Sequence, residues 1–236
     1  MKVFLIPFDS SVAVDKIWVA AKTCYSAKTP IELWEEVHQF SLDKKTAFID
    51  DKIKYGHLSV VEHLHLTFLI CGVSRALTHQ LVRHRLCNYS QQSQRYVNLN
   101  KIEKNADDYF VIPPSIQKNE DALLTYKSAM LETSKVYKRL TDLGIPSEDA
   151  RFDLGNGCKT NIVMTVNLRE LMHICNERLC TAAQWEIRQL VLEMKRCVVS
   201  VLPFMEKWLQ PKCKILGYCP ESSKRSCGMT PTRNNL

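Results

Sequence analysis

Three arginines, one histidine, two serines and three glutamines stand within the stretch "LVRHRLCNYSQQSQRYV", Leu81 to Val97. Arg75 and His79 lie just before it. A guanidinium group binds phosphate through two parallel charge-assisted bonds and never loses its charge. Interleaved hydroxyl and amide groups fix a ligand's orientation through short hydrogen bonds. The pattern suits a pocket for a ligand carrying several negative charges; a solvated basic surface is the plainer alternative. Arg83, Arg85 and Arg95, with Arg151, Arg169 and Arg178 downstream, could furnish two anion sites.

Other chemistries have no matching pattern. The chain has seven glycines, with no G-x-x-x-x-G-K-[ST] and no G-x-G-x-x-G after a strand, so any nucleotide must be held without a glycine turn. Ser93 has no evident base and orienting partner for nucleophilic attack. His57, His63 and His65 with Glu62, in "HLSVVEHLH", match neither H-E-x-x-H nor a standard zinc spacing, and no metal is expected there. A formal charge of +7 favours anionic partners: nucleotides, nucleic acid or phosphorylated metabolites. RNA binding usually recruits aromatic side chains to stack on bases, and only Tyr89 and Tyr96 interleave with this motif.

The elements that must carry these residues are legible. With 236 residues, 45% apolar and 24% charged, the chain suits one large globular domain rather than two small ones. "MKVFLIPFDS" is too short for a signal-peptide core and reads as a first strand. No apolar run approaches the ~20 residues that span a bilayer, so no membrane partner is expected, and without an export signal a cytoplasmic location is expected. The ten cysteines are then reduced. Seven of them read as small buried hydrophobes.

Thr29-Pro30-Ile31-Glu32 is a helix start, with a helix predicted over Ile31 to Asp43. "LHLTFLI" puts Leu64, Leu66, Phe68 and Ile70 on one face of a strand. "VSRALTHQLVRHRL" reads as a helix with Arg75, His79 and Arg83 along one face, followed by a glutamine-rich loop. After Pro113-Pro114 a helix is predicted from Ile116 to Leu143, striped by Leu123, Met130 and Tyr137 and ended by Gly144 and Pro146. "CKTNIVMTV" reads as a strand, after which Asn167 caps a helix with Glu170 three residues on. Thr181 with Gln184 opens the last long helix, striped by Ile187, Leu190, Met194, Val201 and Met205. This irregular order of strands and long helices favours an α+β fold.

"RHRLCNYSQQSQRY", Arg83 to Tyr96, resembles the signature of the flavin-dependent thymidylate synthases: R-H-R, seven residues, then serine. "AAKTCYS", "GHLSVVEH", "EDARFDL", "TVNLREL" and "RLCTAAQWEIR" resemble that family's other blocks, in the same order. The resemblance covers residues 1–210, taken as the synthase domain. It implies a mostly antiparallel sheet flanked by long helices. It also implies reductive methylation of dUMP to dTMP, with 5,10-methylenetetrahydrofolate as carbon donor, FAD as hydride carrier and NADPH as reductant. Homotetramers with active sites where subunits meet are implied, with no nucleic-acid partner.

The resemblance places His57, Ser59, Arg83, His84, Arg85, Gln91, Asn167, Leu168, Arg169 and His173 at FAD. It places Gln80, Arg83, Gln91, Gln92, Ser93, Gln94, Arg95, Arg151 and Arg178 at dUMP. Arg178 matches an arginine that favours ionisation of uracil N3, so no nucleophile is assigned to Cys87. Asn88, Gly155 and Leu168 depart from the usual serine, proline and alanine and alter no charged position. Residues 211–236 form a tail outside the main resemblance. Its Cys213, Cys219 and Cys227, spaced C-x5-C-x7-C, read as free thiols, a disulfide or a metal site, and its Pro, Ser and Lys content suggests a partly mobile end.

Overall fold

The structure, a computed structural model, describes residues 1–98 and 109–233. It is α+β, with a four-stranded antiparallel sheet in the order β1-β2-β4-β3: β1 Lys2–Leu5, β2 His65–Ser74, β3 Cys87–Gln91 and β4 Lys159–Asn167. The helices are α1 (Ser10–Thr23), α2 (Pro30–Glu36), α3 (Leu42–Lys54), α4 (Arg75–Leu81) and α5 (Pro114–Gln117). After them come α6 (Glu120–Asp142), α7 (Ser147–Ala150), α8 (Leu168–Arg178), α9 (Trp185–Val201) and α10 (Lys212–Leu216). The chain divides into two compact units, and each strand contributes residues to both.

The larger unit holds Val3–Leu69, His84–Asn88 and the chain from Met164 onward. Asp9 caps α1 by accepting the Ser11 and Val12 amides, and α1 buries Val14, Ile17 and Trp18. The predicted capping box at Thr29 and Glu32 forms. The helix it opens stops at Glu36, however, short of the predicted Asp43. One 3-10 turn follows, Phe40 is extended, and Ser41 caps α3 by accepting the Lys44 amide. That local side-chain bond competes with continuation of the helix. Lys45 of α3 reaches Asp15 of α1 at 2.5 Å, both side chains buried.

The period-two face of β2 is as predicted: Leu64, Leu66, Phe68 and Ile70 are all buried. Asn167 caps α8 through the Glu170 amide. The cap of α9 is Gln184, whose side chain accepts the Glu186 and Ile187 amides. The predicted opener, Thr181, lies earlier in a turn, because the amide oxygen of Gln184 already satisfies the first-turn donors. Ile187, Leu190 and Met194 form the buried stripe, Val201 is exposed, and Met205 is buried in the following 3-10 turn. Beyond α10, Cys219 bridges to Thr232 in parallel.

The smaller unit holds Met1–Lys2, Ile70–Arg83 and Tyr89–Val163. Ser74 caps α4, which ends at Leu81. Arg83 therefore sits beyond the helix, in a turn closed by its own amide on the Gln80 carbonyl, and not on the expected face with Arg75 and His79. The glutamine-rich segment begins as strand β3, not loop. The predicted long helix is broken at Asn119, whose side chain caps α6. Tyr137 is buried, while Leu123 and Met130 are only half-buried. Gly157 allows a close approach, since a Cβ there would lie 2.4 Å from Tyr126 Oη.

None of the ten cysteines is in a disulfide. The expectation that seven are buried fails for most of them. Among these seven only Cys158 and Cys175 are buried, and Cys24 and Cys71 are exposed. Burial pushes the Cys175 thiol up to about 12, which leaves it inert. No helix among the described residues is long and apolar enough to cross a membrane.

Candidate active site

In the smaller unit, an open cavity of about 530 Å³ is lined by Arg75, His79, Gln94, Arg151, Phe152, Leu154, Gly155 and Asn156. Two permanent cations with imidazole and amide groups make a lining suited to an anion. Arg75 and His79 arrive from one face of α4, four residues apart. Arg151 begins the 3-10 turn after α7, and its Nε donates to the Glu148 carbonyl at 3.0 Å. Arg95 Nε donates to the carboxylate of that same Glu148 at 2.8 Å. The Arg95 amide donates to Ser93 Oγ at 3.1 Å. Gln94 Nε2 donates to Cys158 Sγ at 3.5 Å.

The neighbouring glutamines are held by protein. Gln91 Nε2 donates to Thr78 and Thr160 hydroxyls at 3.2 and 3.3 Å. Gln92 Oε1 accepts from Asn161 Nδ2 at 2.9 Å, and Asn161 Oδ1 accepts the Gly72 amide at 3.1 Å. Gly72 has φ +71°, a left-handed conformation within a strand that glycine takes without Cβ strain. Gln80, Arg83, Gln91, Gln92 and Ser93 do not line the cavity. Arg83 is exposed on its turn.

In the larger unit, His84 is buried and receives Arg178 Nε on its Nε2 at 3.0 Å. Its Nδ1 lies 3.6 Å from Glu170 Oε1, and the His173 ring stands edge-on with centroids 6.0 Å apart. Glu170, His173 and Arg178 all come from α8. Arg178 is its last residue, where the helix dipole favours a cation. Burial, then the charges of Arg178 and His173, push the His84 imidazole down to about 4. Burial also raises the Glu170 carboxyl above the usual carboxylate range.

His84, Glu170 and His173 place one potential metal-ligand atom each within 4.8 Å of one another. The guanidinium bonded to the same imidazole makes this a poor seat for a metal cation. The other predicted residues of this unit have other partners or are exposed. Asn167 Oδ1 accepts the Glu170 amide at the cap, and the Leu168 side chain is fully buried with its amide on the Leu64 carbonyl. Arg169 pairs with Glu62. His57 and Ser59 are exposed around the 3-10 turn Leu58–His63, with Tyr25 Oη 3.1 Å from His57 Nε2, and Arg85 is exposed.

The sequence reading did not assign Arg75, His79, Asn156, Glu148 or Glu170 to the site. The four-residue spacing of Arg75 and His79 was the available sign for two of them. Glu170 was visible only as a capping partner, and nothing local marked Glu148.

The smaller unit thus holds a cavity suited to an anion, and the larger unit holds an arginine bonded to a buried imidazole. Residues 10–204 match the family model described as thymidylate synthase complementing protein. The chain is 44% identical over 213 residues to the flavin-dependent thymidylate synthase of Pyrococcus abyssi, covering 88% of this chain and 85% of that one. It is also 44% identical over 212 residues to that of Geobacter sulfurreducens, covering 89% and 87%. Two solved structures share the fold. One is the Helicobacter pylori ThyX with FAD and dUMP (TM-score 0.66, 21% identity, 89% and 99% covered). The other is the UMP/dUMP methylase PolB of Streptomyces cacaoi with 5-Br dUMP (TM-score 0.71, 21% identity, 88% and 94% covered). The chain belongs to the flavin-dependent thymidylate synthase family, a family of enzymes.

Proposed function

We propose that this chain converts dUMP to dTMP, with 5,10-methylenetetrahydrofolate as carbon donor and NADPH as reductant. The observation that carries the reading is Arg178, a permanent cation fixed by its Nε on His84. A fixed positive charge lowers the pKa of a neighbouring acid, here uracil N3. The anionic pyrimidine is a better nucleophile at C5 and takes the methylene without a protein thiol. The FAD and dUMP named with the Helicobacter pylori structure support both ligands.

The residues fit the two ligands. Arg151 and Gln94, with Arg75 and His79, line a cavity suited to the nucleotide phosphate, and Arg95 is braced beside them through Glu148. Gln80, Arg83, Gln91, Gln92 and Ser93 complete the proposed dUMP contacts. For FAD, the chemistry is that of a diphosphate held without a glycine loop. Exposed Arg85, Ser59 and His57, with Arg83 and Arg169, supply the donors, and Asn167, Leu168, His84, Gln91 and His173 complete the set. The buried Leu168 side chain leaves only its backbone for that role. When bound, FAD supplies hydride carriage between NADPH and the nucleotide. The protein works as a cytoplasmic homotetramer with active sites where subunits meet, residues 1–210 forming the synthase domain and 211–236 its Cys-containing tail.

The purified protein should show a flavin spectrum that bleaches with NADPH, and should release dTMP once dUMP and methylenetetrahydrofolate are added. A protein that stays colourless after incubation with FAD would overturn the reading. Arg178→Ala should abolish dTMP formation while leaving flavin bound; unchanged turnover would remove its role.

A further inference from the structure

We infer that His84 is a positioning residue for Arg178, its bare Nε2 receiving the Arg178 Nε–H while its Nδ1–H turns toward Glu170. The inference deepens the role given above to Arg178 and rests on it. An arginine has donors and no acceptor, so a bond at 3.0 Å from Arg178 Nε requires a lone pair on His84 Nε2. A doubly protonated imidazole has none. The ring must therefore be neutral, with its proton on Nδ1.

The surroundings select that tautomer. Nδ1 faces Glu170 Oε1, and Glu170 is itself buried. At 3.6 Å the contact is too long for a formal hydrogen bond, yet it puts an acceptor on the side that must carry the proton. The charged and titratable groups acting on the ring include Glu170, His173, Glu177 and Arg178, all from α8. Burial and the Arg178 charge oppose ring protonation.

The consequence is electrostatic and geometric together. The Nε bond fixes the plane of the guanidinium and leaves its terminal nitrogens to face a ligand. A neutral ring accepts from the guanidinium where a charged ring would repel it, so Arg178 stays held where it can act on the pyrimidine. His84 and Arg178 stand 94 positions apart and come from a turn and a helix end of the same unit. The R-H-R motif thus does more than present two cations: its middle residue aims a third.

The first test needs no ligand. Protein labelled with 15N-histidine, the His84 resonance assigned by its loss in His84→Gln, should show a protonated Nδ1 and bare Nε2 at pH 7, unchanged at pH 6. A proton on Nε2, or titration near the ordinary histidine value, would overturn the inference. The second test compares His84→Gln, which retains an acceptor, with His84→Leu, which does not, in holoenzyme matched for flavin content. His84→Leu should lose kcat by roughly 100-fold, the scale of a misplaced catalytic group, and His84→Gln should recover part of it. Equal loss in both variants would mean a merely structural role. Wild-type protein that forms no dTMP would sink the proposed function, while the tautomer measurement judges the inference by itself.

Discussion

Arg95 Nε donates to the carboxylate of Glu148 at 2.8 Å, joining the arginine motif to the short helix α7, 53 positions downstream. The backbone carbonyl of that glutamate receives Arg151 Nε at 3.0 Å. One residue therefore braces two arginines assigned to the nucleotide, one through its side chain and one through its main chain. Both partners of the ion pair are about half exposed, so the pair adds little to stability. Glu148→Gln should change the urea midpoint by no more than about 0.5 kcal/mol of stability. It should raise KM for dUMP about tenfold, the equivalent of about 1.4 kcal/mol of binding. A stability loss without a KM change would reverse this assignment.

Asp15 and Lys45 form the opposite kind of pair. Both side chains are buried, on α1 and α3, and His38 Nδ1 stands 3.4 Å from the second Asp15 oxygen. Removing one buried partner leaves the other charge uncompensated, which costs roughly 3–5 kcal/mol. Asp15→Ala should show that loss in equilibrium denaturation, whereas Asp15→Ala with Lys45→Met should recover much of it. A single-variant loss below about 1 kcal/mol would show the pair to be energetically idle.

The His84 imidazole gives stability a defined acid limb. Its pKa falls from 6.5 to about 4 on folding, so between those values the unfolded chain binds a proton that the folded chain excludes. This contribution is complete above pH 6.5 and is lost as pH drops toward about 4. Allowing for solvent screening, the step is on the order of 2 kcal/mol. Glu170, raised by burial, slopes the other way, so the step is read as the difference between wild type and His84→Gln. Parallel pH–stability curves would contradict a neutral buried ring.

Gly157 and Tyr126 meet too closely for any larger residue. A Cβ at Gly157 would fall 2.4 Å from Tyr126 Oη, which donates to the Val111 carbonyl at 3.0 Å. Gly157→Ala should cost about 1–3 kcal/mol by overpacking. Adding Tyr126→Phe, which removes the clashing oxygen, should return part of that loss. A tolerated Gly157→Ala would mean that the tyrosine swings aside freely.

Interactions within one turn of chain were readable from the residues alone. The Thr29 capping box, the Asn167 cap and the period-two face from Leu64 to Ile70 each depend on neighbours no more than a few residues apart. The R-H-R…S spacing likewise carried the family. What the sequence left open were contests between local options. Ser41 ends one helix and starts another, Gln184 displaces Thr181 as a cap, and α4 closes at Leu81, so Arg83 leaves the face shared by Arg75 and His79. Tertiary structure alone decided the pairings of Glu148 with Arg95, Asp15 with Lys45 and His84 with Arg178. Each joins residues 30 to 94 positions apart. No local pattern encodes such a pair, because its energy exists only after the chain has closed the loop between them and removed the pair from water.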